Sequence, residues 1–282
     1  MAQPNAVAVA VETPSADDAV VVEFKHVYLA FDDKVVLKDV TFTLQAGRTL
    51  IILGASGSGK STTLKIITGL LKPDGGEVYV NGVRTDTMSE TALMTTRADL
   101  GMIFQEGALF DSLTVRENVG YKLYEESEMP LDEANRRVEE VLGFVGLAEH
   151  IDKMPSVLSG GQRRRVAIAR AMAFKPRILL YDEATTGLDP ITAVTVNDEV
   201  IKLRDFENAS SIVVTHQLRD AFYVATKMAV RAPDGQVQIV DATPDKEQET
   251  LFLMLREGLV VFEGDAHALR RSTDSYIKTF LS

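Results

Sequence analysis

Gly54–Thr62 reads GASGSGKST, the Gly-x-x-x-x-Gly-Lys-Ser spacing of a backbone loop that cradles phosphate. Gly54, Gly57 and Gly59 let the chain curl so that successive N–H groups, those of Ser56 and Ser58 included, face one anion. Lys60 supplies a point charge for β- and γ-phosphates, and the Ser61 hydroxyl is a hard oxygen ligand of the kind Mg²⁺ prefers. Such a loop needs a metal-holding acid and a group that handles water. Asp182 and Glu183, at the end of an apolar run, offer both. His216 closes a second apolar run, where an imidazole can donate to a γ-phosphate oxygen. Gln105 is placed to hydrogen-bond the metal shell or the water. The guanine-recognition pattern Asn-Lys-x-Asp is absent, which favours adenine. An aromatic face is enough to stack that base, with Phe31 and Tyr28 as candidates and Tyr28 the better candidate for a core aromatic.

A second stretch has the same potential. Leu158–Ala171 reads LSGGQRRRVAIARA, with Ser159 as a helix N-cap and Gln162 three residues on, the spacing of a capping box. Capping accounts for Ser159 and Gln162 but not for Gly160 and Gly161. Glycines there suit a phosphate that approaches the backbone closely. Arg163, Arg164, Arg165 and Arg170 read as a solvated helix face or a local salt-bridge surface.

The elements that must hold these residues follow from periodicity. Val21–Phe31 and Asp39–Leu44 alternate as strands, and Thr49–Leu53 is wholly apolar, as in a strand buried on both faces. Lys60–Gly76 has Leu64, Ile67 and Leu71 at helical spacing and is expected to stop at Pro73. Asp99–Phe104, Arg177–Glu183 and Ser210–His216 are further strands. Gly54, Asp182, Glu183 and His216 all fall at carboxyl ends, where open parallel sheets bind ligands. From Gln105 to about residue 175 the pattern is helical. Pro130–Leu147 places Leu131, Ala134, Val138, Val141, Leu142 and Val145 on one stripe. Met228–Val240 and Gly258–Gly264 read as strands, and Ala266–Leu281 as a last helix. Asp241–Arg256, polar and then apolar, reads as an addition with no evident place.

Composition bounds the rest. The 282 residues suit one α/β domain with an inserted subdomain. With no cysteine there is no disulfide framework and no Cys-ligated metal site. A net charge of −11 argues against nucleic acid held by the bulk field. No apolar run is long enough to span a bilayer. Residues 1–20 read as a mobile tail.

The order of these motifs, with Gly187–Pro190 reading GLDP, resembles that of an ATP-binding-cassette (ABC) ATPase over residues 21–265. The resemblance implies an α/β P-loop core with an antiparallel β subdomain, a helical subdomain inserted at about 106–175, and a C-terminal helix over 266–282. It implies ATP and Mg²⁺ as ligands. Phe31 would stack on adenine, and Lys60, Ser61 and Thr62 would bind phosphate and metal. Gln105 and Asp182 would serve the metal, Glu183 would be the general base, and His216 would sense the γ-phosphate. Ser159, Gly160, Gly161 and Gln162 would cap nucleotide on a second copy of the chain, with Asp189 crossing between copies. The chain departs from the family pattern at Ala184, where proline is usual. Phe104–Leu123 and Leu188–Thr192 resemble the ATPase of Mce/Mla-type lipid transporters. That likeness implies an integral membrane permease, a periplasmic MCE-domain protein, a STAS-domain partner, and a peripheral place on the cytoplasmic face of the inner membrane. Another cargo, or an FtsE-like ATPase signalling through a membrane partner, are the alternatives. DNA-repair and translation cassettes fit poorly, because the chain lacks their long insertions or second cassette.

Overall fold

The structure, a computed structural model, describes residues 19–281. The expected tail therefore lies almost wholly outside the described residues. Strand β1 (Val20–Phe31) pairs antiparallel with β2 (Lys34–Gln45). Next come the apolar strand β3 (Thr49–Leu53) and helix α1 (Lys60–Ile67). α1 is shorter than its apolar spacing suggests. Gly69 takes φ +67°, and the amides of Leu70 and Leu71 turn back onto the Lys65 carbonyl. A left-handed glycine satisfies the terminal carbonyls better than another turn would, so the helix stops well before Pro73. Gly75 and Gly76 open a strand, β4 (Gly75–Val80), which pairs with β1 and with the short β5 (Val83–Arg84). Helix α2 (Glu90–Ala98), capped by Ser89, and strand β6 (Leu100–Ile103) follow.

Helices α3 (Val115–Glu126), α4 (Leu131–Phe144) and α5 (Gly160–Ala173) pack on one another. On α4 the stripe buries Ala134, Val138, Val141 and Leu142, but Leu131 at the first position is 66% exposed. Strand β7 (Ile178–Asp182), helix α6 (Pro190–Glu207), strand β8 (Ser210–Thr215) and helix α7 (Leu218–Thr226) complete the core motifs. A hairpin of β9 (Lys227–Arg231) and β10 (Val237–Asp241) leads through the one-turn α8 (Pro244–Glu247) to β11 (Thr250–Arg256) and β12 (Leu259–Gly264).

Asp241–Arg256 is thus no addition. Its apolar part, β11, lies parallel to β3 in a six-stranded sheet of order β12-β11-β3-β8-β7-β6, in which β12 alone runs antiparallel to its neighbour. The expected last helix is two: α9 (Ala266–Arg270) and α10 (Ser275–Leu281). Between them Asp274 accepts hydrogen bonds from the amides of Tyr276 and Ile277, which restarts the helix.

The six-stranded sheet divides two cores by simple alternation. Leu50 and Ile52 face α1 and the antiparallel sheet, joining Phe24, Phe42 and Leu64. Ile51 and Leu53 face the helical side, joining Tyr181, Val166 and Phe252. Period-two side chains on strands buried on both faces produce this split. It pins β3, β7 and β8 so that their carboxyl ends open on one crevice.

Candidate active site

Three of those strand ends meet. The Ser61 hydroxyl donates to Asp182 Oδ1 at 2.7 Å, bridging the first residues of α1 to the end of β7. Lys60 Nζ donates to the carbonyls of Gly54 at 2.9 Å and Ala55 at 3.1 Å, and lies 3.6 Å from Glu183 Oε1. His216 Nδ1, past the end of β8, lies 3.2 Å from the same oxygen. The other Glu183 oxygen accepts a hydrogen bond from Thr186 Oγ1 at 3.2 Å. Lys60 is 4% exposed and Glu183 16%, while His216 is 45% exposed at the rim.

Burial perturbs this cluster. Desolvation lowers the Lys60 pKa, with Glu183 and Asp182 opposing the effect. Desolvation raises the Asp182 pKa, opposed by the Ser61 hydrogen bond. Both charges are held poorly solvated, a state that a phosphate and a divalent cation would relieve. The backbone contributes too. Glu183 sits at φ 49°, a left-handed conformation costing a non-glycine residue about 1–2 kcal/mol.

The loop fits a phosphate. α1 has no side-chain cap, and its N-cap, Gly59, adopts φ +106°, so the first-turn amides around Lys60–Thr62 are open to an anion. A β-carbon at Gly59 would stand 2.6 Å from Leu37, which fixes glycine there. The metal fit is of one kind. Among the described residues no group of three or more His, Cys, Asp or Glu is placed to hold an ion. Ser61 and Asp182 together offer two hard oxygens, enough for Mg²⁺ when phosphate oxygens and water fill the remaining positions. Gln105 is exposed and makes no hydrogen bond to the cluster.

The Ser159–Gln162 stretch forms the expected capping box at the start of α5. Its glycines have different reasons. A β-carbon at Gly161 would stand 2.1 Å from Thr192 Cγ2, so helix packing against α6 explains this glycine without a ligand. At Gly160 the nearest atom, Leu188 Cδ2, would be an ordinary contact at 3.4 Å, which leaves that position open to an approaching group. Asp189 caps α6, accepting from the amides of Ile191 and Thr192 at 3.1 Å and from the Thr192 hydroxyl. The hydroxyl leads the effects that hold the Asp189 carboxyl below the usual range. Phe31 is 47% exposed at the tip of β1, and Tyr28, expected in the core, is 40% exposed.

The arginines of α5 are not a solvated face. Arg163 donates to the Leu158 carbonyl and Arg165 to that of Val145. Arg170 donates to Ala108 and Gly107, directly after the Gln105 loop. Arg164 donates to Ala184 and Thr186, directly after Glu183. Thr186 and His150 (3.0 Å from the Gln162 amide nitrogen) carry no signal in the sequence reading. The arginine run was visible, but which carbonyls it would meet was not.

A phosphate loop after β3, a histidine past the end of the neighbouring β8 and an acid pair at the end of β7 beyond it define a P-loop nucleoside triphosphatase. The family model for ABC transporters matches residues 37–186. Protein TRIGALACTOSYLDIACYLGLYCEROL 3 of Arabidopsis thaliana chloroplasts is 38% identical over 94% of this chain and 74% of that protein. The intermembrane phospholipid transport ATP-binding protein MlaF of Escherichia coli is 33% identical over 88% of this chain and 95% of that one. The methionine import ATP-binding protein MetN of Bifidobacterium longum is 39% identical over 84% of this chain, which spans only 60% of it. The dimeric post-hydrolysis structure of the ATP-binding cassette MJ0796 with ADP and Pi superposes with a TM-score of 0.72, at 31% identity, over 86% of this chain and 98% of the other. The chain belongs to the ABC transporter family: it is an ATP-binding, dimerising subunit that hydrolyses ATP with Mg²⁺.

Proposed function

We propose that this chain powers lipid transport through a separate membrane permease, and that its site divides the work as follows. The amides of Gly57–Thr62 and the Lys60 ammonium hold the β- and γ-phosphates. Ser61 and Asp182 hold Mg²⁺, with Gln105 in its shell, and the metal when bound neutralises phosphate charge. Glu183 accepts the proton of the attacking water, and His216 orients Glu183 while its rim position leaves it free to meet the γ-phosphate. Phe31 stacks on adenine. The observation that carries this division is that one oxygen of Glu183 is shared by Lys60 and His216. Ser159–Gln162 and Asp189 of one copy close over the nucleotide of the other, so each chain supplies half of two sites, as a twofold pair requires.

Two likenesses that cover most of this chain support lipid as the cargo. One relative is named for trigalactosyldiacylglycerol and the other for intermembrane phospholipid transport, and the latter is matched over 95% of its length. The permease would dock on the segment after Gln105, Phe104–Leu123, where Phe104, Phe110, Tyr121 and Lys122, with Phe174, line a groove of about 370 Å³. On this reading the chain sits peripherally at the cytoplasmic face of the inner membrane, with an MCE-domain protein and a STAS-domain protein as further partners. No helix among the described residues is long and apolar enough to cross a membrane.

The MetN likeness favours a second reading, import of an amino acid. Purification of the tagged chain from native membranes in mild detergent separates the two. Recovery of a permease, an MCE-domain protein and bound phospholipid is expected. A permease with a soluble-solute receptor and no lipid would replace the cargo assignment and leave the ATPase intact.

A further inference from the structure

Arg164 is a buried cation, 7% exposed, whose hydrogen-bond partners are carbonyls and whose strongest charge partner is Glu106. It stands in the first turns of α5. Its Nε donates to the Ala184 carbonyl at 2.9 Å and an Nη to the Thr186 carbonyl at 3.2 Å. A planar guanidinium presents forked donors that suit two carbonyls of one turn, whereas a lysine ammonium is a point charge without that geometry.

The turn it holds is the one that aims Glu183. That residue sits in the left-handed region, which long side chains rarely occupy unless their surroundings fix them. The Glu183 amide donates to the Val214 carbonyl at 2.9 Å, and the Thr186 amide donates back to the Glu183 carbonyl at 3.0 Å. These bonds close the turn on the sheet side. Arg164 closes it from the helix side. Return of Glu183 to the ordinary right-handed region would swing its side chain away from both Lys60 and His216.

Arg164 also belongs to the block that carries Ser159 and Gly160. α5 packs closely on α6 at Gly161, where a β-carbon would stand 2.1 Å from Thr192 Cγ2. We propose that Arg164 is a positioning residue that ties the two half-sites of one chain together. By holding the Ala184–Thr186 turn it fixes the left-handed Glu183, and by riding on α5 it makes that aim depend on how the Ser159–Gly161 cap is seated against the other copy's nucleotide. This rests on the reading of Glu183 as the base.

Mixed dimers of the full chain, assembled with two affinity tags, test it. One subunit carries E183Q, which leaves a single hydrolysing site. R164Q is then placed in the subunit with intact Glu183 or in the E183Q subunit. Placed beside the intact base, R164Q is expected to lower kcat at least tenfold with unchanged ATP affinity. Placed in the E183Q subunit, it sits on the helix that caps the working site but beside a dead base, and the rate should hold. Equal slowing from either placement, or slowing from the second alone, would assign Arg164 to the cap and overturn the proposal. R164K keeps the charge without the fork, so should R164Q fail to fold, a fully active R164K overturns it equally. If an E183Q homodimer hydrolyses ATP at the normal rate, the base assignment fails rather than the linkage.

Discussion

The molecule carries two helix N-termini suited to phosphate, and they are finished in opposite ways. α1 begins without a side-chain cap, and the charged residues around it are satisfied by one another across long stretches of sequence: Ser61 by Asp182, Lys60 by Glu183, Glu183 by His216. α5 begins with a complete capping box closed within four residues, and α6 with an aspartate capped on its own first turn. The α1 side holds buried charge that only a ligand can solvate properly. The α5 side is fully bonded in the single chain and offers only the amides of its first turn. On the proposed function one end is machinery waiting for its substrate, and the other is a preformed lid for a neighbour.

Breaking the first end at its centre has the largest consequence. Glu183→Gln should abolish turnover, a loss of about 10²–10⁴-fold if the carboxylate removes the water's proton, while ATP still binds and the dimer persists. Steady-state hydrolysis beside a nucleotide titration measures both, and undiminished hydrolysis would remove Glu183 from this role. Breaking the second end should act differently. Ser159→Arg fills the lid with bulk and charge, so ATP-dependent dimerisation should be lost while ATP binding to the isolated chain stays normal. Size-exclusion chromatography with ATP reads this out, and normal dimerisation would refute the shared-site reading.

Two smaller effects sharpen the contrast. Gly161→Ala forces a methyl into Thr192 and should cost about 1–3 kcal/mol of stability, whereas Gly160→Ala should be nearly neutral for folding and instead weaken closure over nucleotide. Thermal unfolding of the pair distinguishes packing from ligand approach. Asp182→Asn removes a desolvated charge, so the nucleotide-free variant should melt about 2 °C higher although it hydrolyses poorly. The sign follows from the raised Asp182 pKa: the penalty exists above that pKa and vanishes below the ordinary carboxylate value. The gap should therefore close as pH falls toward 3.8.

The α1 side was largely legible from sequence because its residues lie at strand ends, and apolar strands bounded by polar residues announce themselves. Lys60, Ser61, Asp182, Glu183 and His216 converge because β3, β7 and β8 do. What escaped were contacts set by tertiary approach. The reason for Gly161 lies in Thr192, and the arginines of α5 serve carbonyls of loops far away in sequence. The end of α1 was misjudged because Leu71 continues the apolar period after Gly69 has turned the backbone. β11 was misjudged because a one-turn helix and a hairpin separate it from the motifs, so its apolar run read as surplus.

That late strand changes when the protein can exist. β11 flanks β3 along its whole length, Thr250 beside Thr49 through Met254 beside Leu53, and the Leu255 carbonyl comes so near Gly54 that no β-carbon would fit. The strand that feeds the phosphate loop, Thr49–Leu53, is made long before one of its two neighbours, Thr250–Arg256. Until then β3 is an unsatisfied edge, and the loop lacks one of its walls. A pairing this distant in sequence is slow to form and leaves apolar surface uncovered meanwhile. Completion of the phosphate loop's surroundings thus waits on β11, and a chain cut short before Thr250 carries every motif of an ATPase without the architecture of one.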